Sequence, residues 1–118
     1  MIPTVDALNK TRFDIIGDVH GHLELLTGLL SLLGYQDRDG CWYHPEGRKA
    51  VFLGDLINRG PDSIGVLRLV QEMNNKGEAF ISIGNHEFRI LQEFVKSGSL
   101  ENKELLPFLG WIRSWPLF

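Results

Sequence analysis

The sequence predicts an α/β fold with a parallel sheet, and three observations carry that prediction. Short runs of apolar and β-branched residues end at glycine three times, at Gly17, Gly54 and Gly84. Each is followed by a stretch whose apolar members recur at helical spacing. Strand and helix signals therefore alternate, which favours parallel pairing through helical crossovers and brings the loops after the three strands to one edge of the sheet.

Arg12 to Gly17 is the first strand on this reading, and Leu23, Leu26, Leu29, Leu30 and Leu33 then share a helical stripe that Gly34 stops. Gln36 to Arg48 leaves the cycle: Trp42 and Tyr43 stand among Asp, Gly and Pro, as in a loop or small hairpin. Lys49 to Gly54 is the second strand. Pro61, Asp62 and Ser63 open a second helix with Ile64, Leu67, Val70 and Met73 on one stripe. Glu78 to Gly84 is the third strand, and Phe88, Leu91, Gln92 and Val95 mark a helix that Lys96 to Ser99 ends. The tail, 105–118, gathers Phe108, Trp111, Trp115, Leu117 and Phe118. That much apolar area left in water needs a partner, so self-association or docking of a second chain through the tail is expected. Trp111 and Trp115, at helical spacing, read as core or contact residues.

Composition narrows the function classes. A chain of 118 residues suits one domain. A formal charge of −3 argues against a broad nucleic-acid surface and leaves small phosphorylated substrates as the better expectation. The single cysteine, Cys41, excludes an internal disulfide framework and a thiolate metal cluster and fits a reducing, cytoplasmic compartment. No apolar run is long enough to span a bilayer, and the polar start lacks the pattern of a signal peptide, so neither membrane nor export is indicated.

The chemistry lies in three runs directly after the strands: Gly17-Asp18-Val19-His20-Gly21, Gly54-Asp55-Leu56-Ile57-Asn58-Arg59-Gly60 and Gly84-Asn85-His86-Glu87. Carboxylate, imidazole and amide oxygen are the donors that hold a pair of divalent cations. Such a pair serves phosphate ester hydrolysis by activating a water and clamping phosphate oxygens. Asp18 and His20 project from one short loop, Asp55 is the natural bridging carboxylate, and Asn85 offers a neutral oxygen to the second ion. Arg59 suits bidentate grip of phosphate. His86, beside an occupied ligand position, is cast as the general acid for the leaving oxygen. Glu87 either orients a ligand or simply opens the third helix. His22 reads as a helix-start residue, His44 as a loop residue and Cys41 as a small filler.

The three runs resemble the Gly-Asp-x-His-Gly, Gly-Asp-x-x-Asp-Arg-Gly and Gly-Asn-His-Glu signatures of calcineurin-like metallophosphoesterases. The likeness lies nearest bacterial members related to serine/threonine phosphoprotein phosphatases and dinucleoside tetraphosphatases, and covers Arg12 to Glu93. A tail segment, Trp111 to Leu117, also resembles one carried by these bacterial proteins. The resemblance implies a βαβαβ half of an α/β sandwich, residues 1–118 being the amino-terminal part of one domain. It implies metal ligation by Asp18, His20, Asp55 and Asn85, phosphate handling by His86 and Arg59, and two divalent ions, manganese foremost, with iron or zinc as alternatives. Two departures stand out. Asn58 occupies the place of an aspartate that supports the catalytic histidine, and adds no negative charge to hold a protonated ring. Further histidine ligands that the family draws from its second half have no counterpart after His86.

Three readings follow. The chain is part of a metal-dependent phosphoesterase acting on a phosphoprotein, a small phosphate ester or a dinucleoside polyphosphate; or a non-catalytic module that binds metal or phosphate; or a fragment with no role of its own.

Overall fold

The computed structural model describes residues 12–116; Leu117, Phe118 and the amino-terminal segment fall outside it. Three parallel strands form the sheet: β1 (Phe13–Ile16), β4 (Lys49–Phe52) and β5 (Ala79–Ile81), in the order β1-β4-β5. Ile16 pairs with Phe52, and Phe52 with Ile81. Helix α1 (Leu23–Leu32) follows β1, α2 (Ser63–Asn75) joins β4 to β5, and α3 (Asn85–Ser97) follows β5. The alternation read from the sequence is thus the architecture observed. Between α1 and β4 the Gln36 to Arg48 segment forms an antiparallel hairpin, β2 (Gln36–Arg38) and β3 (Cys41–Tyr43). Its turn is Asp39-Gly40, both with positive φ, the backbone that matches the twist of a two-residue hairpin.

Local chemistry sets the helix ends. Asp62 caps α2 by accepting from Gly65 N–H at 2.7 Å. Gly98, in left-handed backbone, closes α3 with its N–H on Phe94 O. On α2, Leu67, Val70 and Met73 are fully buried, as the stripe requires. On α3 the stripe is different from the one read in sequence: Ile90 and Glu87 face inward, while Phe88 is 51% and Val95 84% exposed. The reason is that α3 is oriented by its first turn, where Glu87 is tied to the preceding loops, rather than by its hydrophobic residues.

Alternate strand residues Ile16, Phe52 and Ile81 join α1, α2 and the tail in one core. Each fully buried aliphatic or aromatic side chain there contributes about 1.5–3 kcal/mol. The opposite sheet face carries Ile15, 69% exposed, and Leu53, 47% exposed. A 3-10 turn (Lys103–Phe108) packs on α2, and α4 (Leu109–Arg113) packs on α3. Leu105, Phe108, Ile112 and Trp115 are buried in the chain's own core, and Pro116 O accepts from Ile83 N–H beyond β5. The described part of the tail thus packs much of its apolar area within the chain. Trp111 and Trp115 meet edge to face at 4.9 Å.

Two buried groups brace the hairpin: Asp14, to which the sequence reading gave no role, and His44, read as a loop residue. Asp14, on the core side of β1, accepts from Tyr35 OH at 2.9 Å and pairs with Arg48. Burial, then that hydrogen bond, pushes the Tyr35 hydroxyl well above its ordinary pKa. His44 is buried: Nδ1 accepts from Glu46 N–H at 3.1 Å, so the proton sits on Nε2, which donates to Leu33 O at 3.0 Å after α1. It is a clip between helix and hairpin.

Candidate metal centre

All three motif runs emerge beyond the carboxyl ends of β1, β4 and β5, and the backbones of the first two bond directly to each other. His20 N–H donates to Asp55 O at 2.8 Å, Gly21 N–H to Leu56 O at 2.7 Å, and Gly60 N–H to His20 O at 2.6 Å. Five non-glycine residues here, Asp18, His20, Asp55, Asn58 and Arg59, have positive φ. Left-handed backbone costs an L-residue about 1–2 kcal/mol, so five in one cluster mark a site held against local preference. A side-chain carbon on Gly54 would overlap the backbone of Gly84, and one on Gly84 would overlap Asp55.

This framework brings one ligand atom each from Asp18, His20 and Asp55 within 4.8 Å of one another. Asp18 is exposed and the other two half-buried, so the cluster opens to solvent. His20 Nδ1 lies 3.4 Å from Ile57 O, a long contact that directs Nε2 outward as the donor. Two carboxylates and an imidazole, with no cationic side chain among them, suit a divalent first-row ion.

Asn85 and His86 open α3 beside this cluster. His86 N–H donates to Asp55 Oδ1 at 3.0 Å, which fixes one oxygen of that carboxylate and leaves the other for ligation. The His86 ring lies 4.8 Å from the His20 ring, centroid to centroid, and Nδ1 meets the Asn58 amide at 3.1 Å. Arg59 is exposed on the adjoining turn.

Glu87 opens α3 and also bonds to the backbone of the Asp55 loop. It is fully buried, and its carboxylate accepts from Asp55 N–H at 2.7 Å, Leu56 N–H at 2.9 Å and Gly84 N–H at 3.0 Å. Burial pushes its carboxyl pKa upward, with the three N–H donors working against that shift. One side chain thus opens α3 and fastens the loop of the second run to that of the third. Ser63 does the same on a smaller scale, its Oγ accepting from Asn58 N–H at 2.9 Å. It was missed because a serine at a helix start reads first as a helix-start residue.

A family model described as calcineurin-like phosphoesterase matches residues 11–118. Among curated proteins, the chain is 49% identical over 75 residues to the bis(5'-nucleosyl)-tetraphosphatase PrpE (asymmetrical) of Halalkalibacterium halodurans, covering 64% of this chain and 30% of that protein. It is 43% identical over 94 residues to the same-named protein of Oceanobacillus iheyensis, covering 80% and 38%. A solved structure assigned provisionally as a diadenosine tetraphosphatase superposes over 98% of this chain and 40% of its own length, with TM-score 0.56 and 30% identity. The chain thus spans about a third of the length of the curated relatives it matches.

Proposed function

The chain belongs to the calcineurin-like phosphoesterase family, and from that premise we propose that its site takes part in metal-dependent hydrolysis of a phosphoanhydride in a dinucleoside polyphosphate. The observation that carries this reading is the convergence of Asp18, His20 and Asp55 donors within 4.8 Å, with His86 tied to Asp55 at their side. The names of the relatives favour a dinucleotide over a phosphoprotein. A cytoplasmic location fits both such a substrate and a chain with one cysteine.

Asp18, His20 and Asp55 would hold one ion, and Asp55 with Asn85 a second; manganese is the first candidate. When bound, such ions supply an activated water and neutralise charge on the phosphoryl oxygens. The rest of the work falls to side chains. Arg59 orients the phosphate by paired N–H donation. His86 Nε2, held by the Asn58 contact at Nδ1, protonates the leaving oxygen. Asn58 fixes the ring without adding charge.

A second reading is favoured by the same donor count: with few ligands of its own, the chain binds metal or phosphate without turnover. Manganese-dependent cleavage of diadenosine tetraphosphate by the chain, beside Asp55→Asn, decides between them. Loss of the bridging carboxylate is expected to lower the rate by about a thousandfold, in the range of lost electrostatic groups. Manganese binding with no cleavage by the parent chain supports the binding module, and cleavage that survives Asp55→Asn breaks the assignment.

A further inference from the structure

Helix α1 carries two apolar stripes where a surface helix needs one. Leu26 and Leu30 are buried in the core, and Leu23 and Leu33 pack against it. Beside them Leu25, Leu29 and Leu32, at i, i+4 and i+7, form a second stripe that faces solvent, 71%, 39% and 87% exposed. Together these three bare about as much surface as two whole leucine side chains, and nothing among the described residues covers them. Gly28 lies on the same side, and a side-chain carbon there would meet nothing within 4 Å. Glu24, in the first turn, is the one charged residue of the helix. At the amino end of the stripe, Leu25, Leu26 and Leu29 line a hollow of about 120 Å³ with Ile16, Val19 and His22, next to the loop that carries Asp18. At the other end stands Leu32, the most exposed large apolar side chain among the described residues.

A knob at one end of a surface and a hole at the other are what a twofold contact between identical surfaces requires. Turned antiparallel about an axis near Gly28 and Leu29, a second copy of α1 sets its Leu32 opposite Leu25, at the mouth of the hollow. It receives the first copy's Leu32 in return. Gly28 then faces Leu29 of the other copy, and its lack of a side chain lets the two helices approach closely. The same arrangement carries the two Glu24 carboxylates to opposite ends of the pair, so no like charges meet. We propose that this stripe is a dimer contact, α1 against α1, closed by Leu32 of each copy in the hollow of the other. The contact is smaller than a standard interface of about 1,600 Å², so association is weak, with Kd on the order of 10–100 µM. It uses no metal and holds whether or not the chain hydrolyses phosphate.

The test is sedimentation of the 118-residue chain from about 1 to about 500 µM, a range that brackets the expected Kd, beside Leu32→Glu. The parent's mass should rise with concentration from the 13.4 kDa of one copy toward twice that value. Leu32→Glu should stay at the mass of one copy, its Kd raised about a hundredfold, since each knob is worth about tenfold and a pair has two. Leu32 lies outside the core, so the substitution leaves the packing of α1 intact. In a mixture of isotope-labelled and unlabelled chains, Overhauser contacts between Leu25 methyls of one copy and Leu32 methyls of the other are expected. These come from the parent alone and decide the matter whatever the variant's fold. A parent that stays monomeric throughout overturns the proposal, and contacts from residues 1–11 to the same methyls within one copy would then name the stripe's occupant. A dimer that Leu32→Glu leaves intact, or one without the Leu25–Leu32 contact between copies, overturns it as well and moves the interface to another face.

Discussion

In the first two motif loops, five non-glycine residues take left-handed backbone and main-chain hydrogen bonds join the loops, while side-chain bonds of Glu87 and Asp55 tie in the third; across the tail, 103–116, no residue has positive φ and the packing is mainly apolar. The loops hold their donors in place at a cost in backbone energy, and the tail, with Ile112 fully buried, contributes stability without touching the donors. Rigidity at the site is therefore supplied by a few side chains that stitch loops together, Glu87 above all, and bulk stability by the packing of α2, α3 and the tail. Changes in the two regions should separate metal binding from folding.

Glu87→Gln should have the largest effect on both quantities. Its three partners are all N–H donors, so the new amide N–H₂ confronts a donor with a donor. A cost of about 3 kcal/mol in urea unfolding is expected, with manganese affinity about tenfold to a hundredfold lower in calorimetric titration because the Asp55 loop is released. Manganese affinity equal to the parent's would show that the loops hold themselves. Ile112→Ala comes next and sharpens the contrast from the other side. It should cost a similar or slightly smaller amount, about 2–3 kcal/mol of stability, while the folded variant keeps its manganese affinity. A parallel fall in affinity would mean that the tail shapes the site.

Asn58→Asp should give the smallest effect and touch neither folding nor metal binding. A carboxylate against His86 Nδ1 replaces a neutral contact with a charge-assisted one, worth about 1 kcal/mol more. The cleavage rate should rise by about fivefold with manganese affinity constant. A rate that falls would show that the amide at this position, where φ is +68, does something a carboxylate does not.

Much of this was legible in the residues. Three glycine-ended strands and the helices after them appear in order because each depends on local pattern and on turns that Gly34, Gly98 and Asp62 impose. The cluster of Asp18, His20 and Asp55, a group able to hold a metal ion, was equally visible, since each follows its strand closely and strand ends converge in a parallel sheet. The inward face of α3 was not. Phe88 and Val95 outweigh Ile90 in hydrophobic count, yet the helix turns them to solvent because Glu87 anchors its first turn. The burial of the tail was illegible for a related reason: its aromatic content was clear, but nothing local told that the chain's own core would cover Phe108 and Trp115.

By itself, then, the sequence determined the order of elements, the strand-end position of every donor, and the family whose signatures those donors form. Tertiary structure alone decided that Glu87 spans two loops, that Asn58 meets His86, and that the tail is buried. The division is physical. Helix stripes, caps and turns are set by neighbours a few residues apart, whereas these three features depend on partners roughly twenty to forty residues away, brought together only when the sheet closes the chain into one core.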